Sequence, residues 1–496
     1  MKDMQEAYEN FPYPHYVHPL ADVAHLAAVA GVLGAQPVDP QAAHVLELGC
    51  GSGSDLLAMA ARLPGSRFLG LDFSAPDIAS ARALAEEAGL TNVEFRQEDL
   101  LTWQPAGNLF DYIIVYGVFS WVKDELQNRL LELCRKCLAP QGIACVCYLT
   151  YPGSSQAGCL RDLLRLRADA HPGVPGKLAA AHEVLDFLDL AYTSIPEAPH
   201  AVYLKEEVRR IREKEPFFLL HDELGLHRDP CYFLQFTDMA AGHGLSYLGE
   251  SELPGTLLEN LPPAPASALA GLKMDRLETE QWMDYIVNRA FRCSLLTGPE
   301  AILTPGLAAT AQRRLCFRPF FPTCHDLPVL DSGQGHPRSG GDIPAESGAL
   351  DSFVSALSRH PRAFTAYGDL LREAEDLAGR QFATFEEAAL IEDLLTLYGG
   401  GRLGLSMVPF APSARWPALL RLTPVARAFS RCRGMIVTPF QEGLPLTPPE
   451  QALCARLDGT LSLPELYASP EGTALDGILE SFLEALSRAG AFDSED

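Results

Sequence analysis

Val45-Leu46-Glu47-Leu48-Gly49-Cys50-Gly51-Ser52-Gly53-Ser54 is the stretch on which the fold of this chain turns. The apolar run His44 to Leu48 is short, branched and closed by glycine, which predicts a parallel strand covered on both faces rather than a helix. Gly49, Gly51 and Gly53 let the backbone bend sharply and come close to a ligand where a Cβ would collide. Leu56, Leu57, Met59 and Ala60 then supply the buried face of a helix. Residues 67–71 read as a second strand, and Asp72 stands at its carboxyl end, the edge at which open α/β sheets bind ligands.

The spacing selects among nucleoside cofactors. A dinucleotide fingerprint needs G-x-G-x-x-G or its alanine variant, and the last position here is Ser54. Glu47 would also set like charge beside a pyrophosphate. S-adenosylmethionine has no phosphate, and its ammonium and sulfonium both favour an acidic lining. Glu47, Gly49, Gly51 and Gly53 are therefore candidate cofactor residues, Asp72 the acceptor for the ribose hydroxyls, and Phe73 a flank for the adenine ring. Cys50 is small enough for the turn and is assigned no chemistry. A third strand, Val93 to Phe95, leads to Asp99 and Leu100, where a carboxylate can accept from the adenine amino group. A fourth, Phe110 to Val115, runs into Tyr116-Gly117, and a fifth, Ile143 to Tyr148, follows a helix and an expected turn Pro140-Gln141-Gly142. Five strands alternating with helices imply a parallel, doubly wound sheet.

At 496 residues the chain exceeds one ordinary core, and 47% hydrophobic content supports globular domains. A formal charge of −25 argues against a nucleic-acid partner, which requires a cationic stripe. It suits a cationic or lysine-bearing substrate, and it equally serves to keep a large enzyme soluble. The start lacks a signal-peptide core and no stretch of about twenty apolar residues occurs, so a cytoplasmic protein without a membrane span is expected. The 12 cysteines are then free thiols. Cys134 with Cys137 and Cys145 with Cys147 could suggest a metal, but their spacing puts each pair on one face of a helix or strand, and core thiols with no metal are expected.

Further strings extend the argument: Tyr8-Glu9-Asn10-Phe11-Pro12-Tyr13-Pro14, Gly117-Val118-Phe119-Ser120-Trp121-Val122, Tyr232-Phe233-Leu234-Gln235-Phe236, Gln281-Trp282-Met283-Asp284-Tyr285 and Asn288-Arg289-Ala290-Phe291-Arg292. Together with the turn, the chain resembles the bacterial protein-lysine methyltransferases with a methyltransferase regulatory domain, best known for modifying outer-membrane proteins in rickettsiae. The resemblance implies a seven-stranded, Rossmann-like class I sheet and transfer of a methyl group from S-adenosylmethionine to lysine. One segment departs: where the family has Y-N-T-Y-P-G-W, this chain reads Tyr148-Leu149-Thr150-Tyr151-Pro152-Gly153-Ser154. The change falls where an acceptor should meet the methyl group, so a small-molecule or natural-product acceptor stands as the alternative, and a non-catalytic binder with this fold as a further one.

Tyr116, Trp121, Tyr148 and Tyr151 lie past strands four and five and are the candidate catalytic residues, Tyr116 also a candidate cofactor contact, with core packing the competing role for each. Phe119 is weighed as structural. Tyr8, Tyr13 and His18 precede the sheet and could fold over the cofactor, Tyr13 touching it; His18 as a base is the weaker use of a lone histidine. The expected organisation is a lid over 1–42, a methyltransferase core over 43–300 with a helical regulatory insertion at about 156–240, a linker over 301–348 and a domain over 349–496. Leu245 to Leu248 and Phe291 to Leu296 are the candidates for an antiparallel pair closing the sheet. The last domain reads as mostly helical and winged-helix-like, with Thr447, Pro448 and Glu450 forming a capping box. Its acidity favours a protein or peptide partner over DNA.

Overall fold

The structure is a computed structural model that describes residues 16–107, 109–304, 314–319, 348–361, 363–411, 419–438, 441–475 and 477–493. Seven strands form the central sheet: β1 (His44–Leu48), β2 (Arg67–Asp72), β3 (Val93–Gln97), β4 (Phe110–Val115), β5 (Leu138–Leu149), β6 (Ser246–Glu250) and β7 (Phe291–Thr297). Their order is β3-β2-β1-β4-β5-β7-β6. The first five pair in parallel, and β7 runs antiparallel to both β5 and β6, which closes the sheet with the expected pair. Strand order reverses between β1 and β4, so a crevice opens at their carboxyl ends, where the glycine turn and Tyr116 lie.

Both faces of the sheet are covered, which is why its strands are apolar throughout. Val45, Tyr112 and Ile114 pack with α1 (Val23–Val32), α2 (Ser54–Arg62) and α3 (Ala75–Glu87). Leu46, Leu48 and Ile113 pack on the other face with α4 (Asp124–Cys137) and, past the insertion, with Phe236 and Ala240. Pro140-Gln141-Gly142 does not form the expected turn. These residues belong to β5, and the register shift between Phe110↔Leu138 and Tyr112↔Ile143 absorbs them as an irregularity of the ladder.

Between β5 and β6, α5 (Ser154–Ala168), α6 (Gly173–Ser194) and α7 (Pro199–Arg212) enclose a core of their own around Leu164, Leu185, Val208 and Ile211. Then come α8 (Phe233–Gly242) and α9 (Arg276–Val287). The stretch expected as a linker contains a strand, β8 (Cys316–Pro319), pairing with β9 (Thr365–Ala366) and β10 (Leu403–Ser406). Phe317, fully buried, explains it: an aromatic anchor holds the chain to the core. The glycine-rich residues 331–341 lie outside the described residues. Helices α10 (Gly348–Leu357), α11 (Tyr367–Ala378) and α12 (Thr384–Gly399) share one continuous apolar cluster with α1. A separate cluster runs from Leu420, in β11 (Leu419–Arg421), to Phe492. It includes residues of α13 (Pro424–Arg433), of the hairpin β12 (Met435–Val437) and β13 (Gly443–Pro445), and of α14 (Pro448–Arg456). Glu450 accepts from Thr447 N at 2.7 Å, closing the expected box.

Candidate active site

The glycine turn is fixed by backbone chemistry. Gly49 N and Cys50 N donate to Leu71 O at 2.8 and 3.1 Å, which ties the turn to the end of β2. Gly49 (φ +80) and Gly53 (φ +73) are held in the left-handed region, and a Cβ on them would fall 2.3 Å from Val118 Cγ2 and Phe95 Cε1. Gly51 (φ +50) faces open space instead: a Cβ there would meet nothing within 4 Å. Asp72, buried, accepts from Gly51 N at 2.8 Å and from Ser74 N at 2.9 Å, one bond to each carboxylate oxygen. Each oxygen keeps a further acceptor site, enough for two ribose hydroxyls. Burial pushes the Asp72 carboxyl up, opposed by those two amides.

Around the turn the structure tests the cofactor directly. Glu47 is buried, and its Oε2 has no hydrogen-bond partner among the described residues. Burial, then the charges of Asp55 and Asp72, hold its carboxyl well above the usual range. Two carboxylates, Asp55 and Asp72, beside the orphaned oxygen of Glu47 make a site that a cation completes, and an ammonium or sulfonium would supply it; the residues fit S-adenosylmethionine. Farther out, Phe73 is 45% exposed at the tip of β2. Asp99 is exposed after β3, with Oδ1 accepting from Leu101 N at 3.0 Å. Leu100 is buried, and its carbonyl accepts from Arg129 Nε. Tyr13 and Tyr8 lie outside the described residues.

At the other end of the crevice His18 stacks on Tyr116, ring centroids 3.8 Å apart. Asp55, in the first turn of α2, accepts from His18 N and meets His18 Nδ1, both at 2.7 Å. Burial, then the neighbouring thiols of Cys293 and Cys147, push the Tyr116 hydroxyl well up, so it stays protonated. Tyr151 follows β5 and packs against Tyr232 at 5.1 Å, which stacks on Tyr285 at 6.1 Å. Trp121 is half-buried in a helical turn, Phe119–Trp121, tied to β5 by Leu149 N donating to Ser120 Oγ.

Tyr148 is set apart from these groups. It is fully buried on the face of the sheet that carries Phe119 and Phe236, its ring stacks on Phe236 at 4.0 Å, and its hydroxyl pairs with Ser294 Oγ at 3.1 Å. Tyr116 packs on the opposite face. The expected catalytic role is therefore corrected: Tyr148 is part of the core, because strand alternation points it away from the crevice. The thiols are buried too, Cys134 and Cys137 in one cluster and Cys145 and Cys147 in the other. Among the described residues no group of three or more metal-ligand side chains forms. No helix there is long and apolar enough to cross a membrane.

Asp55 is the site residue that the sequence concealed. An acid in the first turn of a helix is accounted for by the helix dipole, and its partner lies 37 positions away.

Comparison with known proteins places this geometry. A methyltransferase domain model matches residues 45–142, and a predicted methyltransferase regulatory domain model matches 215–297. The second span takes in α8, α9 and the closing strands β6 and β7, and overlaps the expected insertion only at its end. Uncharacterized protein RP789 of Rickettsia prowazekii is 30% identical over 289 residues, 58% of this chain; the chain spans about half of that relative, 52%. Uncharacterized protein RP028 of the same organism is 30% identical over 234 residues, 47% of this chain and 93% of that protein. Among solved structures, PKMT2 from Rickettsia typhi in complex with AdoHcy shares the fold at a TM-score of 0.80 and 24% identity, over 97% of this chain and 100% of that one. The chain belongs to the class I S-adenosylmethionine-dependent methyltransferases that carry a methyltransferase regulatory domain.

Proposed function

We propose that this methyltransferase modifies the side-chain amine of lysine in a protein or peptide. The observation that carries the proposal is the assembly at the end of β4, where His18, braced by Asp55, lies flat on Tyr116. When bound, the cofactor supplies a methyl group on a positively charged sulfur, open to in-line attack. The chain's own residues position the amine, strip it of water and take up its proton. Aromatic walls at Tyr116, Tyr151 and Tyr232 exclude water, which disfavours the charged ammonium and lowers its pKa toward the free amine that attacks. Asp55 holds Nδ1 of His18 and so directs the other ring nitrogen, Nε2, to act as acceptor for that proton. The resemblance of the strings from Tyr8 to Arg292 to the protein-lysine enzymes supports the same acceptor.

A small-molecule acceptor is favoured by one specific feature. Ser154 O accepts from Arg228 Nη1 at 3.1 Å, which sets a guanidinium near Tyr151 and would suit a compact anion. Incubation with methyl-labelled cofactor and a cell lysate separates the two. Label recovered on lysine by peptide mass spectrometry is the expected result, and label confined to the small-molecule fraction defeats the lysine proposal. The acidic tail, taken as winged-helix-like, is proposed to bind protein or peptide, and a cytoplasmic setting belongs to the same proposal.

A further inference from the structure

The glycine turn is gripped from outside as well as from within. Arg433, at the end of α13, donates from Nη2 to Ser52 O at 3.4 Å, and Ser52 lies between Gly51 and Gly53 in the turn itself. Gln441, between β12 and β13, donates from Nε2 to Asp55 O at 3.0 Å, in the first turn of α2. Gln441 is 1% exposed, and its backbone sits at φ +57, a conformation that a residue other than glycine adopts only when its surroundings impose it. The approach is anchored at its rim, where Arg431 pairs with Glu87 at 3.0 Å and Cys432 Sγ reaches the same carboxylate at 3.2 Å.

We propose that Arg433 and Gln441 are positioning residues, through which the C-terminal part of the chain holds residues 51–55 in the shape that binds S-adenosylmethionine. The inference rests on the assignment of the cofactor to this turn. The turn 49–53, with glycine at three of five positions, samples many backbone states when free, and a ligand that needs one of them must supply the ordering entropy. Asp72 restrains the turn at Gly51 only. The two outer contacts restrain Ser52 and Asp55, and the same Asp55 braces His18. Docking of the tail and occupancy of the cofactor site are then coupled, and each favours the other.

The test is calorimetric titration of S-adenosylhomocysteine into the full chain, with amide hydrogen exchange followed over residues 50–57. Arg433→Gln and Gln441→Ala should each weaken binding about 3- to 10-fold, the effect of one lost restraining hydrogen bond. Exchange over 50–57 should accelerate, KM for the cofactor should rise with kcat within about 2-fold, and Arg433→Lys should recover most of the affinity. Arg488→Gln, which breaks an exposed ion pair of the last helix, should change none of these. Unaltered affinity in both variants, or equal loss in Arg488→Gln, overturns the proposal. A wild-type chain that does not bind S-adenosylhomocysteine would instead remove the cofactor assignment on which it rests.

Discussion

The two ends of the crevice are made by different means. At the cofactor end, one continuous stretch from β1 into α2 does most of the work with backbone groups, and a single side chain, Asp72, is added from the neighbouring strand. At the acceptor end nothing is continuous: His18 comes from ahead of the sheet, Tyr116 from just past β4, Tyr151 from beyond β5 and Tyr232 from the entry to α8. Backbone sites tolerate little change in residue type, because only glycine fits a left-handed position beside a packed neighbour. Side-chain sites tolerate much more, and the acceptor end is built of them.

The sharpest break in that contrast is Gly49→Ala. The added Cβ lies 2.3 Å from Val118 Cγ2, on a branched side chain with little freedom, and the residue must keep φ +80. The left-handed strain alone is about 1–3 kcal/mol, so with the clash the affinity for S-adenosylhomocysteine should fall by about 100-fold or more in calorimetry. A variant that binds normally would mean that side-chain contacts, not backbone shape, govern the cofactor end.

Next in size is Asp72→Ala. It removes the acceptor of Gly51 N together with the proposed acceptor of the ribose hydroxyls, and charge-assisted hydrogen bonds are worth about 1.5–3 kcal/mol, or a 10- to 100-fold loss in affinity. Asp72→Asn keeps one acceptor oxygen and should fall between. Equal affinities for the wild type and Asp72→Ala would place the ribose elsewhere.

Glu47 predicts a smaller, pH-dependent effect. Its folded-state pKa is raised by burial and by Asp55 and Asp72, so the folded protein without cofactor holds this proton more tightly than the unfolded chain. That contribution to stability is complete below the ordinary carboxylate pKa and is lost as pH rises through the raised value. A cation in the site favours the ionised form, so cofactor binding should release protons in that window and tighten with pH by about tenfold per unit at most. Calorimetry in two buffers of different ionisation enthalpy measures the release. Glu47→Gln should abolish it, and a release that survives the substitution would assign the proton to another group.

How much of this was legible follows the same division. The strand, the turn and Asp72 could be read because a backbone requirement shows itself as residue type at fixed local spacing. The brace on His18 could not, since Asp55 is 37 positions away, nor could the contact from Gln441, 386 positions from the carbonyl it meets. Neither leaves a local signal. Local signals also mislead: Pro140-Gln141-Gly142 has the composition of a turn, yet it lies within β5, as an irregularity between Leu138 and Ile143, which pair with β4 on either side of it. Phe317 sits in a region whose flanks are rich in glycine and proline, and its burial makes a strand there.

The smallest predicted effect separates two tyrosines that look alike in the sequence. Tyr116 and Tyr148 occupy the ends of adjacent strands, yet they lie on opposite faces of the sheet. Tyr148→Phe removes only the hydroxyl that meets Ser294, while the stack on Phe236 remains. Urea denaturation should show a loss of about 0.5–1.5 kcal/mol, the net worth of one hydrogen bond, with kcat and both KM values unchanged. Tyr116→Leu should show the reverse: it removes the ring that lies flat on His18, where the acceptor is proposed to enter, and should reduce kcat with cofactor affinity within about 2-fold. Should Tyr148→Phe lower kcat instead, the catalytic surface would have to extend through the sheet to its other face, and the division between a backbone-built cofactor end and a side-chain-built acceptor end would fail at β5.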